Sequence, residues 1–354
     1  MVGISLLTLV PGIVGGSETY VRELVRALAR VGELQYRVFT PKIATDVAEG
    51  LPASRVDAYR ASWTIPGRLA AMTHAWLRPG RIRRQLALDE LDAIHFPLTV
   101  MVPPVDRPAA VTTVVDIQHE YLPHFFSRLE LMYRRVIYPR TLRRSRLLIA
   151  ISEHTKATLV ERMGVAAERV RVIHLGVDLD RFRPDGGERR PFLLYPAARW
   201  PHKNHERLFE ALALLRRDDP ELTLVLTGAG HEGKPTPAGV DVRGRVSSDE
   251  LVRLYRTAAV VVFPSLYEGF GQPPLEAMAC GCPVASSDAA ALPEVCGDAA
   301  RYFDPTSPEA IAEAVAEVLR RRDEFARRGL ERARAFTWDE CARRHDAVYR
   351  ELGA

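Results

Sequence analysis

Short, uniformly apolar runs alternate with amphipathic stretches along the whole chain, and the alternation starts twice. In the first half, Val2–Leu9, Tyr36–Phe39, Ala93–Phe96, Val111–Val115 and Leu147–Ile151 read as strands. Over Glu18–Val31, by contrast, Tyr20, Val21, Leu24, Val25 and Leu28 recur at helical spacing. A strand that is apolar on both sides needs cover on both faces, which a parallel sheet between helical layers supplies. After Gly176-Val-Asp-Leu-Asp180 the chain turns charged and Gly/Pro-bearing from Arg181 to Pro191, which reads as a linker. The alternation then resumes with strands at Phe192–Tyr195, Leu222–Thr227, Val260–Phe263 and Pro283–Ala285. Helices are expected at Asn204–Arg217, Ser248–Thr257, Pro274–Ala279 and Pro308–Arg320. Two such blocks predict an α/β fold of two Rossmann-like doubly wound domains, 1–180 and 190–336, with ligands at the carboxyl ends of the strands in the cleft between them. The 354 residues suffice for two such cores. An isolated helix, Trp338–Leu352, remains at the end.

Composition narrows the function classes. The apolar fraction of 47% and charged fraction of 27% are those of a globular protein, which excludes disordered, collagen-like and coiled-coil chains. No run approaches the roughly 18 apolar residues of a membrane span, and the opening Met-Val-Gly-Ile-Ser-Leu-Leu lacks the basic start of a signal peptide. Four cysteines make no disulfide framework and no histidine stands beside them at metal-ligand spacing, so a cytoplasmic protein is expected. Residues 1–185 hold 26 Lys and Arg against 19 Asp and Glu, whereas the remainder is slightly acidic. Arginines cluster at 78–84 and 134–146. These form either a solvated helix surface or a basic face for peripheral contact with an anionic membrane or a phosphate-bearing acceptor. Nucleic acid is not an expected partner, because no recognition motif accompanies the charge.

Three patterns resemble sites without completing one. Gly228-Ala-Gly-His-Glu-Gly233 spells a dinucleotide fingerprint after a strand, but Pro235 and Pro237 stand where a helix would have to begin. Asp178-Leu-Asp180 pairs two carboxylates with no neighbouring ligands and reads as a cap or turn, so no metal is expected. His202 and His205 lack a third ligand and fit the start of a helix capped by Asn204.

The chemistry concentrates in Phe263-Pro-Ser-Leu-Tyr-Glu-Gly-Phe-Gly-Gln-Pro-Pro-Leu-Glu-Ala-Met. This segment leaves a strand, turns through Glu268-Gly-Phe-Gly271 and enters a helix at Pro273-Pro274. Glu268 and Glu276, with seven residues between them, bring a loop carboxylate and one expected in the first helical turn close to a helix N-terminus. Gly269 and Gly271 let backbone amides approach a ligand. A carboxylate accepts two hydroxyl hydrogen bonds, so this pair suits the diols of ribose and of a hexose.

This Glu-x7-Glu element resembles the retaining glycosyltransferases of the GT-B fold, family four. The other landmarks are Gly12 to Tyr20, Ile149-Ala-Ile-Ser-Glu153, Gly176-Val-Asp178, Arg199-Trp-Pro-His-Lys203-Asn and Leu226-Thr-Gly-Ala-Gly230. The resemblance spans nearly the whole chain. It implies that Glu276 holds the ribose and Glu268 the donor sugar, while Arg199 and Lys203 neutralise the diphosphate. It further implies donor contacts from backbone at Gly15 and Gly16, from the stretch Gly269, Phe270, Gly271 and Leu275, and from Arg245 and Val246 beside the base. Relatives carry His-Asp at the end of the Val111–Val115 strand; this chain has Val115-Asp116 with His119 three residues on, so either Asp116 or His119 faces the sugar. The C-terminal segment 337–354 is expected to cross back onto the first domain.

The implied reaction moves a hexose from a nucleoside diphosphate sugar to an acceptor hydroxyl with retention, the departing diphosphate taking the acceptor proton. No cofactor is implied. GDP-mannose is the first expectation for the donor and UDP-glucose the second, with a saccharide, lipid-linked or small-molecule acceptor. Alternatives are a nucleotide-sugar epimerase on the same fold or an inactive sugar-nucleotide-binding scaffold.

Overall fold

In the computed structural model, which describes residues 1–12 and 15–354, the chain separates into two compact units. One comprises Met1–Gly176 together with Trp338–Ala354, the other Val177–Thr337.

The first unit is built on a seven-stranded sheet. Its strands are β1 (Val2–Ser5), β2 (Tyr36–Thr40), β3 (Ala53–Arg55), β4 (Ala93–Phe96), β5 (Ala109–Val114), β6 (Leu147–Ala150) and β7 (Val170–Val172), in the order β3-β2-β1-β4-β5-β6-β7. Every pairing is parallel. β1, β4 and β6 are buried at every residue, as a sheet covered on both faces requires. The helices are α1 (Gly16–Val31), α2 (Ile65–Leu77), α3 (Gly80–Gln85), α4 (Arg128–Arg144) and α5 (Glu153–Met163). α4 opens with a capping box between Ser127 and Glu130. α5 starts on the Ser152 hydroxyl and stops at a left-handed Gly164. Strand β1 ends four residues earlier than the apolar run predicts. Leu6–Leu9 turns instead, with the Leu9 N–H on Leu6 O at 3.0 Å, yet Leu6, Leu7 and Leu9 stay fully buried. Of the glycine loop expected over Pro11–Gly16, Ile13 and Val14 lie outside the described residues.

The second unit repeats the plan with β8 (Arg190–Pro196), β9 (Thr223–Thr227), β10 (Val240–Gly244), β11 (Ala258–Phe263), β12 (Val284–Ser287) and β13 (Ala300–Phe303). These strands form a parallel sheet in the order β10-β9-β8-β11-β12-β13. Its helices are α6 (His205–Leu215), α7 (Ser248–Thr257), α8 (Gln272–Ala279), α9 (Leu292–Cys296), α10 (Pro308–Arg320) and α11 (Arg322–Ala333). The segment read as a linker is fastened into this unit. The Arg189 guanidinium donates to the carbonyls of Tyr255, Arg256, Ala258, Cys280 and Gly281, and Arg256 Nε donates to Arg183 O.

Helix α12 (Trp338–Glu351) belongs to the first unit and lies against α1. A buried polar chain fixes it there. Tyr349 Oη meets His95 Nδ1 at 2.8 Å, His95 Nε2 meets Thr113 Oγ1 at 2.8 Å, and Tyr20 Oη bridges Thr113 Oγ1 and His345 Nε2. Burial lowers the basicity of both histidines, that of His345 to about 4, so both rings are neutral spacers here. No described helix is long and apolar enough to cross a membrane.

Candidate active site

In the second unit, the loops following β8, β9 and β11 carry the polar residues singled out in the sequence. The loop after β8 turns back on itself through Pro201–Lys203 and is clamped from beneath. Tyr195 Oη donates to Lys203 O at 2.7 Å and lies 3.2 Å from Ser265 Oγ, while the Leu266 N–H donates to His202 O at 2.8 Å. Asn204 does not cap α6 as predicted. Its backbone is left-handed (φ 60°), its side chain caps nothing, and its Nδ2 donates to Pro264 O and Pro305 O at 3.0 and 2.7 Å. Through its side-chain nitrogen, a short amide in that conformation ties three loops together.

This clamp brings Lys203 Nζ to 2.5 Å from Glu268 Oε1, with both side chains 14% exposed. Lys203 Nζ also stands 5.5 Å from the Phe263 ring centre. Arg199, on the same loop, is engaged differently. It donates to Glu206 Oε1 at 2.7 Å and Pro235 O at 3.1 Å, with its guanidinium over Phe209. Its backbone N–H donates to Ala229 O at 2.9 Å, locking this loop to the one after β9. Gly228 makes that approach possible: its φ is +115°, and a Cβ there would lie 2.7 Å from the Ala197–Ala198 backbone. No helix follows the Gly228–Gly233 loop, as the prolines predicted.

Glu276 is placed in the second turn of α8 rather than the first, because the helix already begins at Gln272. Its carboxylate is buried and accepts a hydrogen bond from Tyr255 Oη at 3.0 Å. Burial lifts the Glu276 carboxyl to about 7, against the opposing hydrogen bonds from Tyr255 and Gln272. Tyr255, itself kept protonated by burial, was not singled out from sequence. It lies 21 residues away on α7, and no local pattern marks such a contact.

The rest of the expected donor stretch divides by burial. Phe270 is buried edge-on against Phe336. Leu275 has no exposure, and its N–H is engaged by Gly271 O at 3.3 Å, so neither its side chain nor its amide is available to a ligand. Gly271 caps α8 with φ 131°, and Gly269 is half-buried beside Glu268. Arg245 is exposed and Val246 half-buried in the turn between β10 and α7. Asp178 Oδ1 accepts from the N–H groups of Asp180 and Arg181, the turn read from sequence.

In the first unit, Gly15 (φ 54°) caps α1 and Gly16 opens it, both exposed, with nothing within 4 Å of the place a Cβ would occupy. Asp116 Oδ1 accepts from the Gln118 N–H at 3.2 Å, closing the turn after β5. His119 is buried edge-on against Tyr138 and Phe126. Burial, reinforced by Arg134, lowers its ring to about 4. His119 therefore packs inward and Asp116 is the more accessible of the two.

Two families of known proteins match the chain, one in each half. The family described as "Glycosyltransferase Family 4" matches residues 14–181, and that described as "Glycosyl transferases group 1" matches residues 177–336. O-antigen chain mannosyltransferase B of Escherichia coli is 30% identical over 268 residues, covering 69% of this chain and 70% of that protein. MMP alpha-(1->4)-mannosyltransferase of Mycolicibacterium hassiacum is 28% identical over 345 residues, covering 91% and 81%. The solved structure of sucrose-phosphate synthase from Thermosynechococcus elongatus superposes with a TM-score of 0.76 at 20% identity, covering 99% of this chain and 98% of that one. Two parallel α/β units of this order are the GT-B fold, and with that level of identity to a mannosyltransferase the chain belongs to the group 1, family four glycosyltransferases.

Proposed function

We propose that this glycosyltransferase is a retaining, metal-independent hexosyltransferase. It moves mannose, or else glucose, from a nucleoside diphosphate sugar to a hydroxyl of a saccharide, lipid-linked or small-molecule acceptor in glycoconjugate biosynthesis. The observation that carries this reading is the Lys203–Glu268 pair at the carboxyl end of the sheet. A fixed cation beside a carboxylate suits a diphosphate joined to a polyol. In this reading Lys203 and Arg199 offset the negative charge that grows on the diphosphate as the glycosidic bond breaks. Glu268 accepts from the donor sugar hydroxyls and Glu276 from the ribose diol. The departing diphosphate oxygen takes the proton of the attacking hydroxyl, so no side chain acts as nucleophile. Mannosyl transfer is favoured by the names of the two relatives described above. We place the enzyme in the cytoplasm, with its basic first unit toward an anionic membrane face.

A thermal-shift series over GDP, UDP and ADP and their hexose conjugates tests the donor. A ligand at about 100 times its Kd adds about 2.7 kcal/mol. Stability unchanged by every nucleoside diphosphate would end the reading. Anomeric configuration of the product, read by NMR, tests retention. Free sugar or an epimer formed from donor alone would instead make the chain an epimerase.

A further inference from the structure

Between Ala58 and Leu88 the chain carries six arginines and no acid, and between Tyr121 and Arg146 seven arginines and one acid, Glu130. These segments hold α2, α3 and α4, and α2 and α4 meet where Tyr133 Oη donates to Met72 Sδ and where the Arg144 guanidinium covers the Trp76 ring. Six large apolar side chains stand in solvent on the same segments: Trp63, Ile65, Leu77, Leu129, Met132 and Val136, of which Leu77 is 77% exposed. Among the described residues only Trp200 and Val242 share that exposure elsewhere. Leu129, Met132 and Val136 follow one another at i, i+3 and i+7, a single stripe of α4, and Arg140 and Arg143 continue it. The opposite side of α4, at Ile137, Tyr138, Thr141 and Leu142, is buried. Arg78, Arg81, Arg84, Arg135 and Arg143 are exposed and make no ion pair with a described residue.

We infer that the α2–α4 face of the first unit is a docking surface for an anionic phospholipid bilayer, its apolar stripe entering the headgroup–acyl boundary and its arginines pairing with lipid phosphates. The inference deepens the peripheral placement proposed above and rests on it. Both halves of the chemistry are needed to choose the occupant. Single exposed apolar residues are ordinary, but a cluster set among charges of one sign marks an interaction site. A nucleic acid would engage the arginines and leave Leu129, Met132 and Val136 against water or phosphate. A second copy of the chain would bring two strongly positive faces together. An anionic leaflet accepts cations and apolar side chains at the same depth.

The test is co-sedimentation of the full chain with vesicles of phosphatidylcholine alone and of phosphatidylcholine mixed with phosphatidylglycerol. The wild-type protein is expected to sediment with the mixed vesicles only and to be released by salt. The variant Leu129→Ser/Met132→Ser/Val136→Ser is expected to bind at least about tenfold more weakly with an unchanged melting temperature. Arg140→Ala/Arg143→Ala is expected to lose about fivefold per arginine. Neither variant touches the proposed active site, so turnover on a water-soluble acceptor is expected to persist. If the wild type binds mixed vesicles and both variants bind equally well, this face is wrong while the peripheral placement stands. If the wild type ignores mixed vesicles, or binds duplex DNA at the same ionic strength instead, face and placement both fall.

Discussion

Lys203 Nζ and Glu268 Oε1 form an ion pair of 2.5 Å between the loops that follow β8 and β11. The cation proposed for the diphosphate is therefore also the partner of the carboxylate proposed for the sugar, and the two subsites are electrostatically coupled.

Replacing Lys203 by Ala is expected to cost about 10²–10³ in single-turnover rate, the usual loss for one fixed donor at a developing charge. Donor affinity, measured by calorimetry, should fall by a smaller factor, because only part of that charge exists in the ground state. Glu268→Gln in the same background is expected to recover some donor affinity, since Lys203→Ala leaves a carboxylate facing the diphosphate. A strict parallel between lost affinity and lost rate would make Lys203 a uniform binder.

Glu276 predicts a conflict between stability and binding. Its carboxyl titrates at about 7 when folded and in the ordinary range near 4.5 when unfolded. The folded state thus holds the proton more tightly. That contribution to stability is complete below about pH 4.5 and is lost as pH rises through about 7, roughly 3 kcal/mol in all. Glu276→Gln can keep the Tyr255 hydrogen bond without a buried charge. It is expected to melt several degrees above the wild type at about pH 8 and close to it at about pH 5, while binding nucleoside diphosphate more weakly. A melting difference that does not change with pH would contradict the buried setting.

Two glycines should separate structure from ligand contact. Gly228→Ala forces a Cβ into the Ala197–Ala198 backbone at a positive φ, so it is expected to lower the melting temperature and displace the loop carrying Arg199. Gly16→Ala meets open space in the first turn of α1 and should leave stability unchanged or raise it by up to about 1 kcal/mol. If Gly16 lies against the diphosphate, the same change weakens donor binding despite intact folding. Unaltered donor affinity would remove Gly16 from the site.

Turnover is expected to survive EDTA. Asp178, the carboxylate best placed in sequence to serve a cation, has one oxygen engaged by two backbone N–H groups. Lys203 and Arg199 can supply the positive charge in its place. Activity abolished by EDTA and restored by Mg²⁺ or Mn²⁺ would reverse this assignment.

What sequence could reveal followed the length of each signal. α7 and α10 begin and end where their periodicity predicts, because each opens on a Ser cap and buries one continuous stripe. α2 and α4 escaped prediction because their apolar residues are not confined to a buried face: Leu77, Leu129 and Met132 point outward. The Leu6–Leu9 turn was read as strand because burial, not extension, is what an apolar run reports. Glu268, Glu276 and Lys203 were legible as residue types in a motif. The contacts that orient them were not, since Tyr255 reaches Glu276 from α7 and Tyr195 reaches Lys203 O from β8. Asn204 shows the limit most clearly, as an expected cap that serves instead as a three-way tie.

Val177 and Thr337 pair as neighbours, and the Val177 N–H donates to Phe336 O at 3.0 Å. The polypeptide thus enters and leaves the second unit through one doorway. In genetic terms residues 177–337 form a single cassette whose two splice points already lie side by side. Exchanging this cassette for that of a relative would replace the proposed donor half through two joints that fall within one strand pair, leaving Met1–Gly176 and Trp338–Ala354 as they were.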